Sequence, residues 1–256
     1  MKPLEVNKAG DPGSPVSRNI IGVDIEKSTE RNNSGRASLR QAMYRMLERS
    51  LVWNGITEKN REKFVDRGDG ALALIHLVDD LPKTVLLNKV MPRLCGELAG
   101  YAADNPDQSI RLRAVLHTGD VHQDGQGWFG EAIDVACRLL DAPEVKDRFR
   151  QISDPLLVVV SGEIYRSTVR QGYLGIDEQS FSQVTQVTVS GQSYEGWVWV
   201  PRYDDQPERE GREHRPRLPR SAHELVSLPQ RTVGSGGLTR ARKHIIAQFG
   251  SAPTRP

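Results

Sequence analysis

The hydrophobic pattern of this chain switches repeatedly between a period of two residues and a period of about 3.6, the periods of strands and helices. Apolar alternation through "SIRLRAVLHTG" predicts a half-buried strand, whereas apolar residues three and four apart in "SLRQAMYRMLERSLV" predict a helix. In the first half of the chain the pattern predicts a strand over about 19–26, a helix over about 35–53, a hairpin over 62–78 and a helix over about 83–103 that is kinked at Pro92. After the "SIRLRAVLHTG" strand it predicts a helix in "EAIDVACRLL", a strand in "PLLVVV", a short helix near 161–171 and a closing hairpin in "QVTQVTVSGQSYEGWVWV".

The predicted elements begin in the order βαββαβ and continue with further αβ and ββ elements, which is a ferredoxin-like arrangement. We therefore expect an α+β domain over residues 19–200. Its antiparallel-rich sheet is expected to carry helices on one face and to leave the other face free for a partner. Asn33 or Ser34 is the predicted N-cap of the first helix, because both side chains can accept hydrogen bonds from backbone N–H groups.

The segments on either side of this domain have the composition of disordered chain. Residues 1–18 are rich in Gly, Pro and Ser and predict a disordered leader, and residues 201–256 predict a charged, mostly disordered tail. The tail carries eleven Lys/Arg against six Asp/Glu, which leaves 24 against 27 in residues 1–200. We do not expect a nucleic-acid partner, because such a site normally shows a basic face on the folded part.

Cysteine content and hydropathy bear on the cell compartment. Cys95 and Cys137 lie far apart in helical patterns, so they predict neither a disulfide framework nor a zinc site. No stretch approaches the roughly 18 apolar residues of a membrane span, and the N-terminal residues lack the apolar core of a signal peptide. These features predict a cytoplasmic protein without a membrane partner.

The candidate chemistry begins at "GVDIEKST", where an apolar strand ends on Asp24. A second acid, Asp69, lies in the hairpin turn "RGDG", and the first strand and this hairpin are neighbours in a βαββαβ sheet. Two carboxylates without a cation repel each other, so their approach suggests a hard divalent ion such as Mg²⁺ or Mn²⁺. The loop with Lys27, Ser28 and Thr29 offers a cation, hydroxyls and backbone N–H groups to a triphosphate.

Each of these motifs also has a purely structural interpretation. Asp-Gly is common in hairpin turns, and Ser-Thr after a strand is frequently a helix cap. In a third motif, "GWFGEAIDVACRLLDAP", Asp134 and Arg138 share a helix face, which alone could be a surface ion pair. The Arg67-Gly68-Asp69 triplet is not interpreted as an adhesion motif, because nothing in the sequence indicates secretion.

Together, "GVDIEKST", "VDRGDGALAL" and "RLRAVLHTGDV…GWFGEAIDVACRLLDAP" resemble the catalytic domain of the class III nucleotide cyclases, in order and spacing, from about residue 19 to about residue 200. That family cyclises a nucleoside triphosphate by attack of the ribose 3′-oxygen on the α-phosphorus and releases pyrophosphate. The resemblance implies two divalent ions, Mn²⁺ or Mg²⁺, held by Asp24, Asp69 and the carbonyl oxygen of Ile25. It also implies a homodimer whose composite sites combine metal ligands of one subunit with helix residues of the other.

The resemblance assigns further roles to this chain. Arg138 matches the arginine that stabilises the α-phosphate in the transition state. Asp134 stands where the family usually has an asparagine that orients the ribose. The implied nucleotide-binding residues are Lys27, Ser28, Thr29 and Gly68, together with Val65 and Gly127 at the base-reading positions.

The chain departs from the purine-reading members at three positions. Their base-reading lysine is replaced by Val65, and its acidic partner is replaced by Gly127. Ser190 stands in place of a lysine that binds the terminal phosphate, so Lys27 or another cation is expected to anchor the triphosphate. This pattern is similar to the pyrimidine cyclases of bacterial Pycsar antiphage systems, whose product activates a separately encoded effector.

Three functions remain open from the sequence. We favour a pyrimidine cyclase that converts UTP, or else CTP, into the 3′,5′-cyclic monophosphate, with UTP preferred on family grounds. The alternatives are a purine cyclase with an altered base pocket and a non-catalytic, cyclase-like module that senses a nucleotide. The joint presence of Asp24, Asp69 and Arg138 argues against the last, because a degenerate module usually lacks at least one of them.

Overall fold

The computed structural model describes residues 14–202, which contain an eight-stranded mixed sheet with helices. The strands are β1 (Val16–Ile25), β2 (Val65–Asp66), β3 (Gly70–His76), β4 (Leu112–Asp124), β5 (Gly127–Phe129), β6 (Leu156–Ser161), β7 (Ser182–Val189) and β8 (Gln192–Trp199). The α-helices are α1 (Asn33–Trp53), α2 (Lys83–Val85), α3 (Met91–Asp104), α4 (Glu131–Asp141), α5 (Pro143–Arg150) and α6 (Gly162–Ser167), with a π-helical turn over Leu86–Val90 between α2 and α3. No helix in this range is long and apolar enough to cross a membrane.

The sheet confirms the predicted α+β class with its βαββαβ core and C-terminal hairpin. Its strand order is β2-β3-β1-β4-β6-β8-β7, and β5 pairs with the C-terminal part of β4. Neighbouring strands are antiparallel except β4 and β6, which run parallel. The end of β1 therefore lies beside the β2–β3 turn and the start of β4, so the two acidic motifs meet there.

One face of the sheet packs against α1, α3 and α6. Ile21 and Val23 of β1 bury their side chains on this face, and Met43 and Leu47 of α1 are fully buried against them in one apolar cluster. The helical spacing of the apolar residues in α1 forms the stripe that this packing requires. The predicted helix over 35–53 is confirmed.

The other face of the sheet is not free, and the prediction of a one-sided sheet is wrong. α4 covers part of it through Val135 and Leu139, which pack with Val115 of β4, and Phe149 of α5 joins the same cluster. An apolar helix side and an apolar sheet face must bury each other. α5 was not predicted, because only Val145 and Phe149 of its eight residues are buried, too few for a periodic signal.

Several boundaries differ from those predicted. β1 begins at Val16, so residues 16–18 belong to the strand and not to the leader. The N-cap of α1 is Asn32, whose side chain accepts a hydrogen bond from the backbone N–H of Gly35 at 2.9 Å. Pro92, the predicted kink, follows directly on the π-helical turn over Leu86–Val90, in which the Met91 N–H donates to the carbonyl oxygen of Leu86; proline removes a helical N–H donor and is commonly accompanied by such irregular turns. Most of the remaining predicted leader and tail, residues 1–13 and 203–256, lies outside the described residues.

Candidate active site

Asp24 lies at the end of β1, between β3 and β4. In the antiparallel registers it stands opposite Gly70 of β3 and Arg113 of β4. The Arg113 guanidinium donates a hydrogen bond to the Asp24 carboxylate and forms an ion pair with it; the two side chains are only 11 % and 14 % exposed. The neighbouring strand therefore supplies a counter-charge for this acid.

The pKa of Asp24 is raised from its ordinary value of 3.8 to about 6. Burial is the largest cause, the charge of Arg113 opposes it, and the charges of Asp69 and Asp141 add to it. The charges of these two acids thus disfavour ionisation of Asp24, as like charges do. Added positive charge at this position would stabilise the ionised carboxylate.

Asp69 is held against the end of β1 by two hydrogen bonds. The N–H of Ile25 donates to the backbone carbonyl of Asp69 at 3.1 Å. The hydroxyl of the buried Ser28 donates to the Asp69 carboxylate at 2.5 Å. The structure thus brings together Asp24, Ile25 and Asp69, the predicted metal ligands, and engages Ser28 with one of them.

Two glycines of the β2–β3 turn permit this approach. Gly68 has φ 80°, in the left-handed region that glycine adopts without strain. Gly70 allows close backbone contact, since a Cβ at this position would lie 2.3 Å from the carbonyl oxygen of Val23. The "RGDG" turn is therefore fitted to the end of β1 and is more than a generic hairpin turn.

The predicted phosphate-binding loop leads into a single 3₁₀ turn over Ser28–Glu30, ahead of α1. Lys27 has φ 54° and its side chain is exposed, as is that of Thr29. Lys27 lines a depression of about 470 Å³ whose other residues include Glu26, Glu30, Arg31 and Arg111. Arg111 in turn forms an ion pair with Glu26 at 2.7 Å.

The Asp24 and Asp69 pair fits a divalent cation. Both side chains offer hard carboxylate oxygens, and the repulsion that raises the pKa of Asp24 would be relieved by a cation between them. Among residues 14–202, no group of three or more His, Cys, Asp or Glu side chains could hold a metal ion. Backbone, phosphate or water oxygens would complete the shell, as Mg²⁺ commonly accepts.

α4 forms a wall of a separate cleft of about 640 Å³. Asp134 and Arg138 lie on the exposed side of α4, four residues apart as predicted, and both line the cleft. Cys137 and residues 187–188 of β7 also line it, together with Arg67 from the β2–β3 turn. Because Asp69 lies in the same turn as Arg67, one turn contributes to both the acid pair and the cleft.

The three positions at which the chain departs from purine-reading cyclases do not line this cleft in the described structure. Val65 is half-buried in β2 and packs against the apolar cluster under α4. Gly127 opens β5, and its N–H donates to the side chain of Asp124 at 2.9 Å. Ser190 lies in the exposed β7–β8 turn with φ 49°.

Two arginines at the site were not identified from the sequence. Arg113 belongs to an alternating strand in which Leu112 and Ala114 face the α1 side, so alternation alone places Arg113 on the other face. Its register opposite Asp24 is the signal that would have identified it. Arg67 was visible in "RGDG" but was considered only as part of a turn and of an adhesion triplet that we rejected.

Solved structures similar to this chain are cyclases. An adenylate/guanylate cyclase/hydrolase from Silicibacter pomeroyi is 20 % identical with a TM-score of 0.52, over 74 % of this chain and 99 % of that one. The adenylyl cyclase CyaB from P. aeruginosa is 12 % identical with a TM-score of 0.52, over 76 % and 98 %. The catalytic core of a rhodopsin-guanylyl cyclase with converted specificity, in complex with ATPαS, is 14 % identical with a TM-score of 0.51, over 73 % and 96 %.

No family model matches the sequence, and no curated protein matches it. The structural likenesses show that the described domain has the fold of class III nucleotide cyclase catalytic domains. At identities of 20 % or less, this likeness concerns the fold. The activity has to be argued from the site.

Proposed function

We propose that this protein is a nucleotide cyclase that converts a pyrimidine nucleoside triphosphate, UTP or CTP, into its 3′,5′-cyclic monophosphate and pyrophosphate. The observation that carries the proposal is the meeting of Asp24 and Asp69 at the end of β1, in a fold shared with solved cyclases. A non-catalytic module would have no need for two mutually repelling acids held together by Gly70 and Ser28.

The residues of the site divide the chemistry between them. Two divalent ions, Mn²⁺ or Mg²⁺, held by Asp24, Asp69 and the carbonyl oxygen of Ile25, would supply the positive charge that eases deprotonation of the 3′-hydroxyl and offsets charge on the phosphates. Arg138 stabilises the charge that develops on the α-phosphate, since a guanidinium binds phosphate oxygens through paired N–H donors. Asp134 accepts a hydrogen bond from a ribose hydroxyl and so orients the sugar.

The pyrimidine preference rests on what Val65 and Gly127 lack. Val65 offers no hydrogen-bond donor and packs against apolar side chains, and Gly127 has no side chain. A purine that depended on polar contacts at these positions would leave its own groups unpaired, at about 1–3 kcal/mol each. A purine cyclase is the second candidate, and the observation that favours it is that the structural neighbours are named as adenylate or guanylate cyclases.

The proposed enzyme is a cytoplasmic homodimer, with composite sites built from the acid pair of one subunit and α4 of the other. Its cyclic nucleotide is proposed to act as a second messenger in antiphage defence, through a separate effector protein. This part of the proposal rests on the resemblance of the motifs to the Pycsar cyclases.

The test is incubation of the full chain with UTP, CTP, ATP and GTP separately, each with Mn²⁺, followed by mass spectrometry of the products. We expect cyclic UMP or cyclic CMP, with little product from either purine, and no product from an Asp24→Ala, Asp69→Ala double variant. Preference for ATP or GTP would replace the pyrimidine proposal by the purine one. Binding without product from any triphosphate would indicate a nucleotide sensor.

A further inference from the structure

The segment between α6 and β7 carries two neighbouring apolar side chains that project into solvent. Leu174 is 89 % exposed, more than any other large hydrophobic side chain among residues 14–202, and Tyr173 beside it is 49 % exposed. A single exposed apolar residue is ordinary on a protein surface, whereas an adjacent pair held in an ordered turn is a candidate contact surface. We call Tyr173 and Leu174 the apolar tip.

Hydrogen bonds hold the backbone of the apolar tip in place. The N–H of Ile176 donates to the carbonyl oxygen of Tyr173 at 3.0 Å, which closes a four-residue turn with Leu174 in its second position. Gly175 in the third position has φ 80°, the positive value that a type II turn requires there. The side-chain amide of Asn88, in the π-helical turn, donates to the carbonyl oxygen of Leu174 at 3.2 Å. Because the turn is already ordered, burial of the tip would cost little conformational entropy.

A cavity of about 790 Å³ opens beside the apolar tip. Gly175 and Ile176 line it, so the turn that carries the tip also forms part of the cavity wall. Leu157 lines it as well, together with Phe181 and Trp199, whose rings stack with their centroids 5.3 Å apart. One surface therefore carries an apolar tip and, next to it, a cavity with apolar walls that this tip does not fill in its own chain.

The charges around the cavity also suit a second copy of the same surface. Arg148 of α5 and Asp177 both line the cavity and carry opposite charges. In a two-fold interface each patch meets an identical patch, so one patch has to contain both members of every contact. This surface contains a tip and a cavity, and a positive and a negative group. A site for a charged ligand would instead show mainly one sign of charge.

We propose that two copies of this chain associate through this surface, each placing its apolar tip in the cavity of the other. The interface is distinct from the proposed cyclase dimer, because neither Asp24, Asp69 nor any residue of α4 lines the cavity in the described structure. The inference therefore does not rest on the proposed function. A chain that used both interfaces would form assemblies larger than a dimer.

The first experiment is disulfide trapping between two single-cysteine variants of the full chain, both carrying Cys137→Ser because Cys95, the other native cysteine, is buried. One variant is Leu174→Cys, labelled with ¹⁵N, and the other is Ser182→Cys, at an exposed position that lines the cavity. Leu77→Cys is the matched control for the tip, since Leu77 is an exposed apolar residue that does not line the cavity. Mass spectrometry identifies the labelled–unlabelled dimers and maps their disulfides, and circular dichroism establishes that each variant is folded.

We expect at least about tenfold more disulfide between positions 174 and 182 than between positions 77 and 182, because a disulfide forms only where two Cβ atoms come close together. Equal yields for the two pairs would overturn the proposal, since they would indicate random collision. A disulfide that joins two copies at position 174, without one between positions 174 and 182, would overturn it too. That product would place tip against tip and leave the cavity empty.

The second experiment is sedimentation velocity of Leu174→Asp over a series of protein concentrations. A carboxylate at the tip would have to enter an apolar-walled cavity, so the largest assembly should need about tenfold more protein to form, equivalent to about 1.4 kcal/mol. Leu77→Asp, the matched control, should sediment like the unmodified chain. An unmodified chain that stays monomeric, or association that Leu174→Asp leaves unchanged, would overturn the proposal.

Enzyme assays distinguish a failure of this proposal from a failure of the proposed function. In a chain that cyclises a triphosphate, Leu174→Asp should weaken association and leave kcat and KM unchanged, because the tip is separate from the acid pair and α4. Loss of turnover with unchanged association would contradict the interface while leaving the cyclase proposal intact. Association that depends on Leu174, in a chain that cyclises no triphosphate, would support the interface and refute the cyclase.

Discussion

Asp24 and Arg113 face each other across β1 and β4 and form an ion pair in direct antiparallel register. Two residues further along, Glu26 and Arg111 repeat the arrangement with an ion pair at 2.7 Å. The end of β1 and the residue that follows it thus carry two acids, each paired with an arginine at the start of β4 or immediately before it. Because Asp24 is paired in this way, its removal should lower the free energy of unfolding as well as disturb the proposed metal site.

We predict that Asp24→Ala and Asp69→Ala both abolish cyclisation but differ in stability. Removal of Asp24 leaves Arg113 mostly buried without a counter-charge, and breaking such a pair from one side costs about 3–5 kcal/mol when it is fully buried. Removal of Asp69 relieves repulsion, because the charge of Asp69 raises the pKa of Asp24, and its cost is limited to the hydrogen bond that the carboxylate accepts from the buried Ser28 hydroxyl, about 1–3 kcal/mol. Urea denaturation of the metal-free variants should therefore show a lower free energy of unfolding for Asp24→Ala.

A double variant provides the control for this difference. Asp24→Ala with Arg113→Met removes both charges, so it should recover part of the stability lost in Asp24→Ala without recovering activity. Equal unfolding free energies for Asp24→Ala and Asp69→Ala would show that the ion pair contributes nothing to the fold. Wild-type turnover by either single variant would refute the metal assignment.

We predict that Asp134→Asn strengthens binding of anions in the α4 cleft. Asp134 is exposed, lines the cleft with Arg67 and Arg138, and has no ion pair in the described structure. The amide retains a carbonyl oxygen for a ribose hydroxyl but removes a negative charge that repels phosphates. The Kd for inorganic tripolyphosphate, measured by isothermal titration calorimetry on the metal-free chain, should fall several-fold. The KM for the preferred triphosphate should fall by a similar factor.

The comparison for this variant is Asp107→Asn, which removes an exposed carboxylate from the 3₁₀ turn over Pro106–Gln108, outside the cleft. It should leave both constants unchanged. An increase in KM for Asp134→Asn would indicate that the carboxylate itself makes an essential contact with the ribose.

We predict that two inactive variants restore activity when mixed. If the acid pair and α4 act across a dimer, Asp24→Ala and Arg138→Ala damage different halves of each composite site. A mixed dimer then keeps one intact site of two, so activity should approach about a quarter of the unmodified level when half the dimers are mixed. The measurement is cyclic nucleotide formation after subunit exchange, followed by native mass spectrometry to quantify mixed dimers.

A mixture in which exchange is demonstrated but no activity returns would show that each chain carries its own complete site. Mixing Asp24→Ala with Asp69→Ala is the matched control, since both damage the same half. That mixture should remain inactive whether the site is composite or lies within one chain.

Much of this fold follows from local pattern, and the parts that do not follow depend on tertiary packing. The alternation around Leu116 and the stripe containing Met43 predict β4 and α1, because each pattern matches the period of its element. The short α5 escaped prediction, because only Val145 and Phe149 give it an apolar side. The local sequence does not encode which face of the sheet a helix covers. The prediction that the helices lie on one face was therefore wrong for α4.

The residues of the candidate site likewise divide into those that the sequence pattern predicts and those that depend on tertiary packing. Asp24 and Asp69 could be paired from sequence, because strand adjacency in a βαββαβ sheet constrains where their elements meet. Arg113 and Arg67 could not be assigned in the same way. Their importance depends on a strand register and on which cleft a turn residue enters, and both are set by packing between distant segments.

The last prediction concerns the pH dependence of stability at His117, far from the acid pair along β4. His117 is 4 % exposed, and its Nδ1 lies 2.8 Å from the hydroxyl of Ser161. Burial lowers the pKa of His117 below its ordinary value of 6.5, the charge of Glu163 opposes this shift, and the charge of Lys83 adds to it. The folded state therefore holds His117 neutral at pH values where the unfolded chain is already protonated.

The sign of the effect follows from proton binding. Below about pH 6.5 the unfolded state binds more protons at this residue, so the contribution of His117 to stability is complete above that pH and declines as the pH falls. The decline can reach at most about 1.4 kcal/mol per pH unit, the value for one proton. His117→Asn keeps a polar atom near Ser161 but cannot titrate, so its free energy of unfolding should fall less between pH 7 and pH 5 than that of the unmodified chain. Urea denaturation at each pH measures both curves, and parallel curves would show that His117 titrates alike in the folded and unfolded states.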